Sequence, residues 1–406
     1  MTATLAVTAQ SLVRFPELST VEDGDEYVVG DPATGSFVSL PEIGVTAIKA
    51  LSADQTVGEA AREVSEIAGE PVDLVEFVET LIESGLVDSV DGRSVRPRTQ
   101  QFPRRWWTSV RPERARLLFG RTAWTVYLLA ALWSAGALLA LPDYRPAFED
   151  FMFTPNPAVC LGISLVLGIL LAMVHEYWHW LGARAEGVNA RTTFSRRAFI
   201  VVMQTDLGLM WSLPRRRRLG PLAAGMAFDV TLLGVILALR VANGSGGFLS
   251  PLADRFLAAL VLSQVLSIVF QCLICLRTDG YLLLSAALGC RNLLETTKLH
   301  VRSALVGLKP EQRRRLDDMP ARDRQVARWY GPVYVVLMGF LAYVFVNFWL
   351  PGLFVVSGWV FYGVGGAPVF SAAFAQAAVP ALITVSRFVS PVVIAIRERR
   401  RKRAVA

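Results

Sequence analysis

Charge is scarce in this chain: only 18% of its 406 residues are Asp, Glu, Lys or Arg, against 53% hydrophobic residues. So little charge excludes an ordinary soluble enzyme and points to a polytopic membrane protein. Cysteine is scarce too. The four thiols, Cys160, Cys272, Cys275 and Cys290, lie in or beside apolar segments, which argues for buried thiols and against a disulfide framework. Histidine is scarcer still, with three in all. No secretory signal pattern opens the chain, where a short mixed stretch gives way to acidic, polar sequence, so the first module is expected in the cytosol.

The charge that exists is unevenly placed. Residues 17–91 are rich in acids, with Glu59, Glu63, Glu66 and Glu70 in one short run and chiefly Lys49 and Arg62 as bases, while bases gather after residue 92. Such a split suggests two modules with different partners. In the first, Glu26–Gly30 and Ser36–Leu40 flank turn residues 31–35 and read as a β-hairpin. A helix is expected over about Pro41–Leu51. Thr56-Val57-Gly58-Glu59 has the capping-box pattern and opens an amphipathic helix to about Ala68. Asp73 opens another, with Leu74, Phe77, Val78, Leu81 and Ile82 on one stripe, ended by Gly85, and Leu86-Val87 begins a last strand. A hairpin with three helices is a winged-helix-like α+β domain.

The hairpin, the Ser39-Leu40-Pro41-Glu42 helix start and the closing Leu81-Ile82-Glu83-Ser84-Gly85-Leu86-Val87 resemble PqqD-type peptide-recognition domains over roughly residues 12–91. The resemblance implies a module that binds the leader segment of a precursor peptide. A DNA-binding winged helix is disfavoured, because an acidic surface repels phosphates, so no nucleic-acid partner is expected.

Domain boundaries are expected at 1–95 for this module, 96–121 for a basic juxtamembrane linker, 122–290 for a membrane core, 291–328 for a basic cytosolic segment and 329–406 for C-terminal spans with a basic tail. Trp106-Trp107 among the arginines of the linker suits a headgroup layer. Apolar runs near 122–141, 158–182, 219–241, 256–276, 329–350 and 371–396 each approach the ~20 residues a transmembrane helix needs. The Gly-rich stretch 352–370 adds a possible re-entrant piece. Basic loops alternate from side to side, which gives a multi-pass protein of the cell membrane with both termini in the cytosol.

The chemistry lies in the second span. His175-Glu176-Tyr177-Trp178-His179 is an H-E-x-x-H sequence, a pattern that arises by chance in about one chain in a hundred of this length. On a helix, positions i and i+4 face the same way, so both imidazoles reach one Zn²⁺, and Glu176 stands beside them as the base that takes a proton from the attacking water. An acid at mid-bilayer costs about 2.5–3.5 kcal/mol, and a bland helix–helix contact gives no evident return for it. A catalytic zinc wants a third protein ligand. His300 lies in the basic segment, where a lone histidine is usually solvated. Asp279, placed by the topology at the cytosolic end of span four, is at the right membrane level, with Gly280 after it allowing close backbone approach. From geometry alone it is equally an interfacial acid paired with Arg277.

His175-Glu176-x-x-His179-x-Leu181-Gly182-Ala183-Arg184, followed by Gly187-Val188, resembles the active-site helix of site-2 proteases. Thr278-Asp279-Gly280 matches that family's distal Asp-Gly, whose Asp is the third zinc ligand; the Asn-Pro that many relatives place before it is replaced here by Arg277-Thr278. Leu219-Gly220-Pro221-Leu222-Ala223 is similar to the Gly-Pro opening the family's middle span. The resemblance covers about residues 122–290 and implies a site-2 protease-like core, a polytopic α-helical protein of about six transmembrane helices, with Asp279 as zinc ligand. It also implies a membrane-dipping β-element, for which Phe199–Met203 is the candidate strand.

Three further features stand out. Cys272, Cys275 and Asp279 lie at i, i+3 and i+7 and are expected on one helix face, with Cys275 far more plausible as a buried thiol than as a ligand. Gln264, Ser267, Gln271 and Cys275 form a polar stripe on span four that must face the bundle, either lining a water path or joining helices. Asp229 in span three is an intramembrane acid and hence a functional candidate without an assigned role. The leading functional expectation is a zinc endopeptidase that removes the leader of a ribosomally made precursor peptide. The alternatives are cleavage of a membrane-anchored regulator, and a non-catalytic export accessory or immunity protein, against which the intact Glu176 argues.

Overall fold

The computed structural model describes residues 7–24, 26–32, 34–95, 110–188, 190–197 and 200–351, with six isolated positions beyond. The expected sixth span at 371–396, the re-entrant stretch 352–370, the basic tail and the linker residues 96–109 lie outside the described residues, those isolated positions apart. The chain divides into two compact units.

The first unit holds Met1–Pro112 and, from later in the chain, Glu186–Ala190 and Asp206–Arg218. Strand β1 (Val13–Arg14) is followed by β2 (Ser19–Asp23), β3 (Glu26–Asp31) and β4 (Ser36–Leu40). The last three form an antiparallel sheet in that order, with Val29 opposite both Thr20 and Val38. The expected hairpin is therefore two strands of three. Helices α1 (Glu42–Leu51), α2 (Val57–Ala68) and α3 (Leu74–Glu83) follow. Glu59 closes a reciprocal capping box with Thr56 at the start of α2, and Gly69 ends that helix in the left-handed conformation at φ +74°. Asp73 caps α3 by accepting from the N–H groups of Val75 and Glu76. The final strands are β5 (Ser89–Val90) and β6 (Arg93–Ser94), slightly later than Leu86-Val87, and β5 pairs with β1. Leu86 and Val87 instead enter the core with Leu51, Val64, Val78 and Leu81, each worth about 1.5–3 kcal/mol of burial.

Strand β3 is buried on both faces. Val29 joins the helical core, whereas Val28, also buried, lies outside that cluster. The 3-10 segment Leu207–Ser212 packs on β2, β3 and β4. Asp23 at the end of β2 bonds the guanidinium of Arg218 at 2.7 Å, with both side chains buried, and Arg218 also donates to the Leu213 carbonyl and lies over the Trp211 ring. A segment far along the sequence thus completes this unit.

The second unit contains Glu113–Ala185, Arg191–Thr205 and the chain from Leu219. Its elements begin with α4 (Pro112–Phe119) and α5 (Arg121–Ala140), then α6 (Pro157–Ala185). Strands β7 (Arg191–Arg197) and β8 (Ile200–Asp206) pair with each other, where one strand had been expected. Helices α7 (Arg215–Gly246), α8 (Pro251–Gln271), α9 (Asp279–Leu288), α10 (Leu293–Leu305), α11 (Pro310–Asp317) and α12 (Ala321–Val344) complete it. Among the described residues, five stretches are long and apolar enough to cross a membrane: Pro112–Ala140, Pro157–Ala185, Arg215–Gly246, Pro251–Gln271 and Ala321–Asn347. The second half of the expected linker is therefore helical and runs into the first of them. Leu128, Leu129 and Leu132 on α5, and Val166 and Leu170 on α6, are exposed, as side chains facing lipid should be. The polar residues of α6 do the opposite: His175 and His179 are buried.

Candidate metal centre

Helix α6 carries His175 and His179 one turn apart, with their rings edge to face at 4.9 Å. Helix α7 lies against them. Pro221, Gly225 and Asp229 follow at four-residue steps and so share one face of α7. The Pro221 carbonyl accepts from Nδ1 of His179 at 2.8 Å, and the Asp229 carboxylate lies 2.9 Å from Nδ1 of His175. Between these contacts, a Cβ added at Gly225 would come within 2.4 Å of both Nε2 atoms. Close approach of the two helices also depends on Gly182, where an added Cβ would lie 3.0 Å from the Pro221 backbone.

Asp279 completes the cluster. Its Oδ2 lies 2.8 Å from Nε2 of His175 and 2.9 Å from Nε2 of His179, and those two nitrogens are 3.2 Å apart. Asp279 is the first residue of α9, capped by Thr278, not the end of span four as expected: α8 stops at Gln271. The end of α8 nevertheless sets its place, because the Gln271 side chain accepts from the Asp279 N–H at 3.2 Å. A Cβ at Gly280 would meet the Gln271 carbonyl at 2.4 Å, so the Asp-Gly pair is required by this contact. Asp279 is aimed at the imidazoles, and Arg277 is exposed.

Where Nδ1 of each ring donates outward, its Nε2 presents a lone pair toward the Asp279 carboxylate oxygen. In that tautomer three acceptors converge with no donor between them, an arrangement that a cation satisfies. A tetrahedral metal with bonds of about 2.0–2.1 Å spaces its ligand atoms about 3.3 Å apart; the two imidazole nitrogens, at 3.2 Å, are near that spacing, and the Asp279 oxygen lies closer to them, at 2.8 and 2.9 Å. Two imidazoles and a carboxylate suit a divalent transition metal. Among the described residues, His175, His179 and Asp279 are the group able to hold one. His300 lies on α10 and takes no part. Cys275 takes no part either. Cys272 and Cys275 fall in the loop after α8, one exposed and one buried, so the expected shared helix face with Asp279 does not exist.

Glu176, between the two histidines, is fastened to β8. Its carboxylate accepts the Thr205 N–H at 2.9 Å and its carbonyl accepts the Thr205 hydroxyl at 2.9 Å. Two residues of the polar stripe acquire partners: Ser267 donates to Asp229 at 3.5 Å and Gln271 accepts from the Asp279 N–H, whereas Gln264 is buried with its Oε1 unpartnered among the described residues. Sequence reasoning missed the roles of Pro221, Gly225 and Thr205. The two four-residue steps from Pro221 through Gly225 to Asp229 were the available signal for the first two.

The fold and site define a helical protein with five stretches, among the described residues, able to span a membrane and a His-His-Asp group, its two imidazoles buried, able to hold a metal. Compared with protein-family models, curated proteins and solved structures, the chain matches none.

Proposed function

We propose that this chain is an intramembrane zinc metalloendopeptidase of the site-2 protease type that cleaves a peptide precursor, removing the leader of a ribosomally made, modified peptide. The observation that carries the reading is the convergence of His175, His179 and Asp279 on one point, with Glu176 on the same helix turn. Zinc held there supplies Lewis acidity at the scissile carbonyl and a more acidic water. Glu176 takes the proton from the attacking water and delivers it to the leaving amine, and Thr205 holds the carboxylate while this happens.

The N-terminal module recruits the substrate. Strand β4 is an edge strand of its sheet, open to β-augmentation by an extended leader, and the excess of acids favours a basic or neutral amphipathic peptide. The protein sits in the cell membrane with both termini cytosolic. Purified full-length protein in detergent, given a precursor peptide encoded beside its gene, should cut it between leader and core. A chelator should stop the cut and added zinc restore it. Cleavage indifferent to chelation contradicts the metalloprotease reading.

A further inference from the structure

Asp229 is an acid in the middle of a span, and its surroundings say what it does. Its carboxylate is buried, 2.9 Å from Nδ1 of His175 and 3.5 Å from the Ser267 hydroxyl. No Lys or Arg side chain pairs with it among the described residues. It therefore does not neutralise a helix-borne cation, one of the roles an acid at this depth can have.

We infer that Asp229 is a positioning residue of the metal centre. By accepting the Nδ1 proton of His175 it fixes that ring in the tautomer whose Nε2 lone pair faces His179 and Asp279. Without an acceptor, the Nδ1–H is buried unsatisfied, and moving the proton to Nε2 would block coordination. The carboxylate also raises the basicity of the imidazole toward a metal, which a neutral acceptor such as the Pro221 carbonyl on His179 does less strongly. The two histidines are thus unequal: one is backed by a charge on α7, the other by a backbone oxygen two four-residue steps away on the same helix. Ser267 on α8 steadies the carboxylate.

The inference rests on the metal-centre reading, and the experiment separates the two. Full-length protein in detergent is titrated with zinc against a chromophoric chelator, and loaded with cobalt(II) to record its visible spectrum. Wild type is compared with Asp229→Ala, Asp229→Asn, Ser267→Ala and His175→Ala. Zinc affinity should fall about 10–100-fold in Asp229→Ala. Asp229→Asn, isosteric and still able to accept from Nδ1, should lose less affinity yet show an altered cobalt spectrum, a change that a merely structural role would not produce. Ser267→Ala should move affinity by no more than a few fold. If both Asp229 variants match wild type in affinity and spectrum while His175→Ala loses zinc, Asp229 has no positioning role and the metal centre stands. If His175→Ala binds zinc as wild type does, the metal centre itself is wrong. Should Asp229→Ala aggregate, the Asn variant alone decides, through its spectrum.

Discussion

Gly225 faces His179 so closely that a single methyl group would lie 2.4 Å from the imidazole Nε2, and equally close to that of His175. The absence of a side chain on α7 leaves the space where three ligand atoms converge. Gly225→Ala should put carbon where a metal held by these atoms would sit. Zinc content measured on monodisperse protein should fall more than tenfold. Near-stoichiometric zinc in that variant would mean that the converging atoms are not the binding site.

Asp279 gives the companion test from the opposite side. Its Oδ2 touches both imidazole nitrogens, so Asp279→Ala removes one of the three converging atoms that could hold a metal. Bound zinc should drop sharply while the protein still inserts in the membrane fraction. Retention of a full equivalent would exclude Asp279 as a ligand and return it to an interfacial acid.

Thr205 ties β8 to Glu176 by two hydrogen bonds, one through its hydroxyl. Thr205→Val keeps the backbone donor and the shape and loses the hydroxyl. The loss of one such bond, about 0.5–1.5 kcal/mol, corresponds to roughly a 2–10-fold fall in kcat with zinc and KM little changed. An effect confined to KM would assign Thr205 to substrate binding instead.

The ion pair of Asp23 and Arg218 is almost wholly buried. Removing only the acid leaves a buried guanidinium without its partner, a loss of about 3–5 kcal/mol in such cases. Asp23→Ala should lower the thermal midpoint of the first unit, followed by fluorescence of Trp211 beneath Arg218. Asp23→Ala/Arg218→Met should recover much of the loss. An unchanged midpoint in the single variant would show that the pair is open to water.

Much of this was readable from the residues, and what was not has physical causes. The caps at Thr56 and Asp73 and the amphipathic stripes they open are local signals, and α2 and α3 follow them. The i, i+4 histidines declare their common face in any helix. The end of α8 was misjudged because no Gly or Pro lies between Cys272 and Thr278, so the apolar run reads on as helix; the helix start at Thr278 is marked only by its hydroxyl. Strand β2 is short and mostly polar, and its packing partner, Leu207–Ser212, is remote in sequence. Asp229 was visible as an acid out of place, but its partner is 54 residues away. The Pro221 carbonyl is a backbone atom that leaves no side-chain signature at all.

In the proposed mechanism Glu176 acts as a base beside a metal it does not hold. Glu176→Gln keeps the side chain's size and its contact with Thr205 but cannot take a proton. Zinc content and cleavage of the same precursor, measured on one preparation, test this most directly. The expected result is a full equivalent of zinc with cleavage reduced at least a thousandfold, about 4 kcal/mol of barrier. Appreciable cleavage by the Gln variant, or loss of its zinc, would contradict it.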